Sequence, residues 1–328
     1  MFGITGRRFA RRGIVLKRAA TATAGSKNLL DGLFVLELSS VLAGPTVGQF
    51  FGELGANVVK VENKKTRGDV TRTWVLPEEN PEDDRTAYFR CCNLGKRSLA
   101  VDISTREGLR IVHDLATTAD VVVASYKPGD AEKLSVDYAS LKRLNPRLIY
   151  AQITGYGSDD DRAGYDAVVQ AHAGFQYMNG APDEAPPTKM PVAMVDLLAA
   201  HQLKEGVLLG LLRRERTGGE GSFVEVSLLQ AAVSSLANQA TGYLCANVVP
   251  VRRGSDHPYV PASSLSFRSA RSFVSSSHVA RPVVLLLASD RSFRTVPSSD
   301  AATDVGSSSR SVPTRSSNNC AAFSDATT

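Results

Sequence analysis

Two carboxylates in apolar surroundings are the residues of this sequence best placed to do chemistry. Asp166 follows Gly164-Tyr165, and Asp196 stands in Met194-Val195-Asp196-Leu197. Asp196 falls where an apolar extended run, residues 190–195, gives way to a predicted helix. The first turn of a helix presents unpaired N–H groups and the positive end of the macrodipole, which favour negative charge. A carboxylate there is either an N-cap or a nucleophile held in a positive field. Aspartate is a favoured cap, so position alone leans towards the cap.

The elements that must hold these groups alternate between strand and helix. Apolar runs at residues 33–38, 57–61, 98–103, 121–124, 148–154 and 223–226 have the length of buried strands. Between them fall predicted helices. One is opened by Gly44-Pro45 and runs to residue 52, with proline at the tolerated first position. Another follows Ser104-Thr105-Arg106-Glu107, which reads as a capping box, with Leu109, Ile111, Val112 and Leu115 as its apolar face. Further helices are expected at 138–144, from Asp196 to about Arg216, where Gly218-Gly219 stops it, and at 228–244. This alternation predicts an α/β fold with a doubly wound parallel sheet and ligands at the carboxyl ends of its strands.

The chain has 328 residues, 43% of them apolar, enough for a sizeable core. The formal charge of +5 is concentrated at the start, where seven cations from Arg7 to Lys27 precede the first acid, Asp31. The remainder is close to balanced, so no nucleic-acid partner is expected. An arginine-rich, acid-free opening has the composition of a mitochondrial presequence, expected over residues 1–27, with a plain basic tail as the other reading. No run approaches eighteen consecutive apolar residues, so no membrane partner is expected. Residues 28–225 are read as the main domain, 226–253 as a linking helix, and 254–328 as a separate serine-rich segment. In that last segment 20 of 75 residues are serine, and patterned apolar sequence is confined to residues 283–288; largely disordered chain is expected.

The familiar cofactor signatures are missing. No G-x-G-x-x-G follows the first strand, no P-loop occurs, and G-x-S-x-G is absent. Cys91, Cys92, Cys245 and Cys320 have no metal spacing, and five scattered histidines form no zinc motif; no metal and no bound cofactor are expected. Adjacent Cys91-Cys92 suits a disulfide poorly, so reduced, mostly buried thiols are expected. Lys60, Lys64, Lys65, Arg67, Arg72 and the pair Lys96-Arg97 flank strand ends and could hold phosphates, but a solvated charged surface is the more economical reading. Asp159-Asp160-Asp161 fits no calcium loop and reads as a solvated turn, as does Gly155-Tyr156-Gly157.

Several ordered blocks between residues 32 and 253 resemble the class III coenzyme A transferases, the formyl-CoA and carnitine-CoA transferase family. They are Leu38-Ser39-Ser40-Val41-Leu42-Ala43-Gly44-Pro45, Leu54-Gly55-Ala56-Asn57-Val58-Val59-Lys60-Val61-Glu62, Gly68-Asp69-Val70-Thr71-Arg72 and Asn93-Leu94-Gly95-Lys96-Arg97-Ser98. Ile153-Thr154-Gly155-Tyr156-Gly157, Ala163-Gly164-Tyr165-Asp166-Ala167 and Pro191-Val192-Ala193-Met194-Val195-Asp196-Leu197 complete the set. Within the family, Thr71-Arg72-Thr73-Trp74 and Val192-Ala193-Met194 are most similar to mitochondrial enzymes exchanging CoA between succinyl-CoA and glutarate or hydroxymethylglutarate.

The resemblance implies a Rossmann-like large domain, an interlocked homodimer, and acyl-CoA and small carboxylic acids as substrates. It places the family's nucleophile on Asp196 and its upstream active-site pair on Tyr165 and Asp166. Ser40, Val41, Leu42 and Ala43 match the loop lining the reacting carbonyl and CoA. Val101, Asp102, Ile103, Ser104, Ser125, Tyr126 and Lys133 match CoA contacts, with lysine at 133 where arginine is usual. The implied chemistry runs through an aspartyl-CoA intermediate, with CoA as substrate. In the related α-methylacyl-CoA racemases a histidine matches Tyr165, and a tyrosine with an ordinary pKa of about 10 is poorly suited to move that proton. Transfer is therefore favoured over a racemase-like alternative or a non-catalytic CoA-binding remnant. Ser40 stands where relatives usually carry arginine, and Leu198-Ala199-Ala200 replaces a Thr-Gly-containing segment. Relatives also continue past the Gly254 region with a further αβ portion and a glycine-rich loop. Here only Leu287-Ala288-Ser289-Asp290-Arg291-Ser292-Phe293 echoes it, which reads as an aberrant C-terminal part.

Overall fold

A computed structural model describes residues 28–182 and 186–259. The expected presequence, residues 260–328 of the serine-rich segment with its apolar run at 283–288, and Cys320 lie outside the described residues.

Short β-branched runs that are apolar on both faces become central parallel strands, because only a sheet covered on both sides buries them. β1 (Phe34–Leu38) leads through α1 (Ala43–Glu53) to β2 (Asn57–Asn63), and α2 (Ala87–Cys91) precedes β3 (Arg97–Val101). α3 (Arg106–Ala116) crosses to β4 (Val121–Ala124), and α4 (Asp130–Lys133) and α5 (Tyr138–Leu144) to β5 (Ile149–Thr154). α6 (Asp166–His172), α7 (Phe175–Met178) and α8 (Met194–Arg216) precede β6 (Ser222–Ser227), followed by α9 (Leu228–Ser234) and α10 (Asn238–Ala246). The six strands are all parallel, in the order β3-β2-β1-β4-β5-β6. This is the doubly wound α/β sheet expected from the alternation.

Successive residues of the central strands point to opposite sides and build two cores. Val35, Val121, Val123, Ile149 and Ala151 face Val47 and Phe51 of α1, Val195, Ala199 and Leu203 of α8, and Ala231 of α9. Leu36, Val122, Ala124, Leu148 and Tyr150 face Val112 and Leu115 of α3 and Leu141 of α5. Residue 225 lies inside β6, and α9 behind it buries Leu228, Ala231 and Ala232 in the first core.

α8 is tied down at both ends. Near its C-terminus the buried Arg214 donates to the Asp120 carboxylate at 3.1 Å and to the Arg147 carbonyl at 3.2 Å. The Asp120 carboxylate in turn accepts the N–H of Phe34 at 2.9 Å, so one ion pair joins α8 to the starts of β1 and β4. After the helix, Gly218 and Gly219 take positive φ, as its glycine stop requires.

Two helix expectations need correction. The cap of α3 is Thr105, whose hydroxyl accepts the Gly108 N–H, while the Ser104 hydroxyl turns instead to Asp102. The single helix expected over 228–244 is two, broken at Ala237 with φ +42°. Sequence periodicity does not show that break, because the apolar spacing continues across it.

Candidate active site

The strand order reverses between β1 and β4, and their chains leave the carboxyl edge in opposite directions. A crevice at such a switch point is the usual ligand site of an open parallel sheet. Here a cavity of about 540 Å³ opens along the ends of β1 to β4. Ser39, Ser40, Val101, Asp102, Ile103, Ser104, Ser125 and Tyr126 line it, with Lys60 and Lys65 among the cations. Lys65 sits 2.9 Å from the Asp102 carboxylate and donates to the Ser104 hydroxyl at 3.0 Å. Hydrogen bonds from Ser104 and Lys65 hold the Asp102 carboxyl down at about 2. Burial pushes the Tyr126 phenol up to about 12, so it stays a neutral donor.

No glycine-rich turn connects β1 to α1; the connection is Ser39-Ser40-Val41-Leu42. The N–H of Ser40 donates to the Ser125 hydroxyl at 3.1 Å, joining the two sides of the crevice. Val41 has φ +70°, a left-handed conformation that is a true outlier for a β-branched residue and costs about 1–3 kcal/mol. Its N–H points at both oxygens of Asp69, at 3.3 and 3.2 Å, and its carbonyl accepts from the Cys92 thiol at 3.3 Å. Close behind, a Cβ on Gly44 would stand 2.4 Å from that of Ser39, so the helix start is pressed against the end of β1.

Beneath this loop lies a buried ionic network. Lys60 bridges Glu37 and Asp69, each at 2.9 Å, and donates to the Ser39 carbonyl at 2.7 Å. Burial works against its charge, but the two carboxylates outweigh it and raise its pKa. Lys96 pairs with the other Glu37 oxygen at 2.8 Å and donates to the Pro45 carbonyl; burial lowers its pKa. Next door Glu62 is buried, and Arg72, Ser98 and the Asp69 N–H outweigh that burial to hold its carboxyl at about 2. The basic cluster therefore divides: Lys60 and Lys96 are buried in ion pairs, which overturns the solvated-surface reading for them, while Lys64, Lys65, Arg67 and Arg97 are exposed. Both Lys60 and Glu62 sit inside β2, a strand paired on both edges and buried from Val58 to Lys60 and at Glu62; the apolar run around Lys60 was the available clue.

The two aspartates meet across α6 and α8. Asp166, first residue of α6, accepts the N–H of Val195 at 2.8 Å and that of Asp196 at 3.2 Å, and Gln170 donates to its second oxygen at 2.6 Å. Asp166 thus caps α8 from another helix, and Asp196, its third residue, is no N-cap. Among the described residues nothing donates a hydrogen bond to the Asp196 carboxylate, which is only 8% exposed. Burial, and then the neighbouring Asp166, push it up to about 7. The loop carrying Asp166 is positioned by backbone contact. A Cβ on Gly155 would lie 2.5 Å from the Cα of Gly164, so the turn after β5 and the Gly164-Tyr165-Asp166 segment touch through glycine alone.

The sequence-selected residues thus gather in two sets: the cavity group, and Asp166 with Asp196 where the starts of α6 and α8 meet. Ala43 of that loop and Val195 belong to one buried cluster, and Leu42 is the N-cap residue of α1, with its carbonyl accepting the Thr46 N–H. Tyr165 precedes α6 with its side chain 68% exposed. Lys133 is not among the cavity residues; it is exposed on α4 and paired with Asp130 at 2.8 Å. Two residues escaped the sequence reading. One is Asp69, whose carboxylate gathers Val41, Lys60 and Thr71. The other is Tyr88 of α2, edge-on to Trp74 and pushed up to about 12 by burial and by Asp196, Cys91, Cys92 and Asp166. No sequence signal links Tyr88 to Asp196; folding alone brings them together. Among the described residues, Cys91 and Cys245 are exposed free thiols and only Cys92 is buried, against the expectation of mostly buried cysteines.

A sequence profile of CoA-transferase family III matches residues 30–284. The chain is 40% identical over 237 residues to the succinate–glutarate CoA-transferase of Agrobacterium fabrum, covering 70% of this chain and 58% of that protein. It is 36% identical to the succinyl-CoA:glutarate CoA-transferase of Mus musculus, covering 75% and 59% respectively. Among solved structures, a CAIB/BAIF family protein from Brucella suis shares 42% identity, with a TM-score of 0.66 over 70% of this chain and 61% of that one. The chain thus spans about six-tenths of the length of the relatives it matches.

Proposed function

Because this chain belongs to CoA-transferase family III, we propose that it moves CoA from a short acyl-CoA such as succinyl-CoA to a small dicarboxylic acid of the glutarate class, with Asp196 as nucleophile. The observation that carries the reading is the Asp196 carboxylate: buried, without a hydrogen-bond donor, and raised to about 7. A carboxylate stripped of donors is a better nucleophile than a solvated one, and it sits in the first turn of a 23-residue helix whose end favours its charge. The relatives' names point to the same pair of acids.

In this reading an Asp196 oxygen attacks the thioester carbonyl and expels CoA thiolate, leaving a mixed acyl–aspartyl anhydride. The thiolate attacks the aspartyl carbonyl, releasing the donor acid and forming aspartyl-CoA. The acceptor carboxylate then attacks that thioester, again freeing thiolate and forming a second anhydride. Thiolate attack on the acceptor acyl carbon yields the new acyl-CoA and restores Asp196. The thioester is exchanged throughout and never hydrolysed. Asp166 holds the start of α8 in register so that the carboxylate keeps its place, and the 40–43 loop faces the reacting carbonyl. The cavity residues at the ends of β1 to β4, Ser125 and Tyr126 among them, would hold CoA. The enzyme works as a homodimer in mitochondria; the apolar Leu208, Leu209 and Leu212, exposed on α8, supply surface for a second subunit.

Intact-mass analysis after incubation with succinyl-CoA tests this. The expected result is a CoA-sized covalent adduct localised to Asp196 and absent from Asp196→Asn. Retained CoA binding with neither adduct nor transfer would overturn it in favour of a non-catalytic CoA binder. A racemase would instead exchange the α-proton of a branched acyl-CoA without an adduct, and Tyr165 offers no imidazole for that proton.

A further inference from the structure

We propose that Asp69 is a positioning residue: its buried carboxylate, with the Cys92 thiol on the opposite side, locks Val41 into a left-handed conformation and so fixes the loop that faces the reacting groups. The inference rests on the proposed function for the loop's role, but its geometry stands independently. A valine at φ +70° does not stay there unaided, since its branched Cβ crowds the backbone and both extended and helical conformations are cheaper. Something around it must over-determine the geometry.

Both polar groups of the Val41 residue are held. Its N–H donates to Asp69 at 3.2 and 3.3 Å, and its carbonyl accepts the Cys92 thiol at 3.3 Å. The holding residues are themselves fixed. Asp69 is fully buried as a side chain, caps the turn 70–73 through the Thr71 N–H at 3.0 Å, accepts the Thr71 hydroxyl at 2.9 Å, and pairs with Lys60 at 2.9 Å. Lys60 reaches past it to the Ser39 carbonyl, two residues before Val41, at 2.7 Å. Cys92 is the C-cap of α2, the helix whose Tyr88 senses the charge of Asp196. The loop is therefore clamped from β2 on one side and from α2 on the other. Released, Val41 would relax to negative φ and swing the peptide groups of residues 40–42 away from their present directions.

The test couples backbone chemistry to turnover. Glycine adopts positive φ as readily as negative, so Val41→Gly should make the clamp dispensable. In the whole 328-residue chain, Asp69→Asn is expected to lower kcat by at least about tenfold, or ~1.4 kcal/mol in the barrier, with KM for acyl-CoA nearly unchanged. Adding Val41→Gly to Asp69→Asn should recover most of that loss, which a merely folding-related defect would not do. Independently of activity, the Val41 amide should exchange slowly with solvent in the wild type and quickly in Asp69→Asn, both read by NMR hydrogen exchange with circular dichroism confirming the fold. Full kcat in a folded Asp69→Asn variant would overturn the proposal, as would failure of the glycine to rescue it. If the wild type shows no transfer between succinyl-CoA and glutarate, the assigned function fails, and the exchange comparison alone decides the clamp: equal Val41 exchange in both proteins overturns it. Should Asp69→Asn not fold, Cys92→Ala removes the opposite jaw and is expected to speed Val41 exchange; unchanged exchange there overturns the two-sided clamp.

Discussion

Asp196, the proposed nucleophile, would carry its chemistry and a stability cost in the same atoms. Its pKa is raised from 3.8 to about 7 by burial and Asp166, so the folded state resists ionising a group that the unfolded chain ionises freely. Its favourable contribution is complete below about pH 4 and is lost as pH rises through about 7, by up to about 4 kcal/mol. Asp196→Asn should therefore unfold at higher urea concentration than wild type at pH 8, with the two nearly alike at pH 4. The same substitution should abolish transfer while leaving CoA binding within a few-fold. Wild-type turnover should climb with pH through about 7, as the carboxylate becomes available to attack. The sequence offered Asp196 first as a cap. Its true surroundings were not legible, because the residue that does the capping, Asp166, lies on another helix. Asp69 and Tyr88 escaped for the same reason, each acquiring its importance through partners far along the chain.

At the scale of elements, small residues let charged ones be buried. A Cβ on Gly48 would meet the Glu37 carboxylate at 1.8 Å, and that carboxylate is pinned by both Lys60 and Lys96. Gly48→Ala should thus cost about 2–3 kcal/mol by overpacking, measured as a shift in the urea midpoint, despite alanine's better helix propensity. Gly164→Ala cannot be accommodated by a rotamer change, since it would strike the backbone of Gly155. It should displace Asp166 and reduce turnover more than it reduces stability, a difference seen by comparing kcat with the thermal midpoint. Arg214→Ala should destabilise by about 3 kcal/mol, because it removes a buried cation that pairs with Asp120 at the foot of β4 and donates to the Arg147 carbonyl. Strand positions were readable from runs such as Val121-Val122-Val123-Ala124, where period and composition agree. The break after α9 was not, since the apolar spacing runs through Ala237 unchanged.

At the scale of the whole molecule, alternation of strand and helix predicted the doubly wound sheet, and the link from β1 to α1 is the Ser39-Ser40-Val41-Leu42 loop, without a glycine fingerprint. What alternation cannot give is the strand order, which decides that the ends of β1 and β4 flank the crevice. The cation-rich opening makes a separate prediction. Residues 1–27 fused to a fluorescent reporter should carry it into mitochondria, and neutralising Arg7, Arg8, Arg11 and Arg12 should leave it in the cytosol. Among the described residues, no helix is long and apolar enough to cross a membrane.

The path of the chain through the sheet also sets a timetable. β5 and β6 pair from Ile149 to Ser222, with all of α6, α7 and α8 intervening. Closing so long a loop is entropically slow, and nothing rewards it until β6 is in place. The crevice walls from β1 to β4 use residues 34–126 and can assemble earlier. Asp166 reaches the α8 N–H groups only once that helix has docked. During refolding the crevice at the ends of β1 to β4 should therefore appear before the carboxylate pair. A chain emerging from the ribosome would complete its crevice before its two paired aspartates meet.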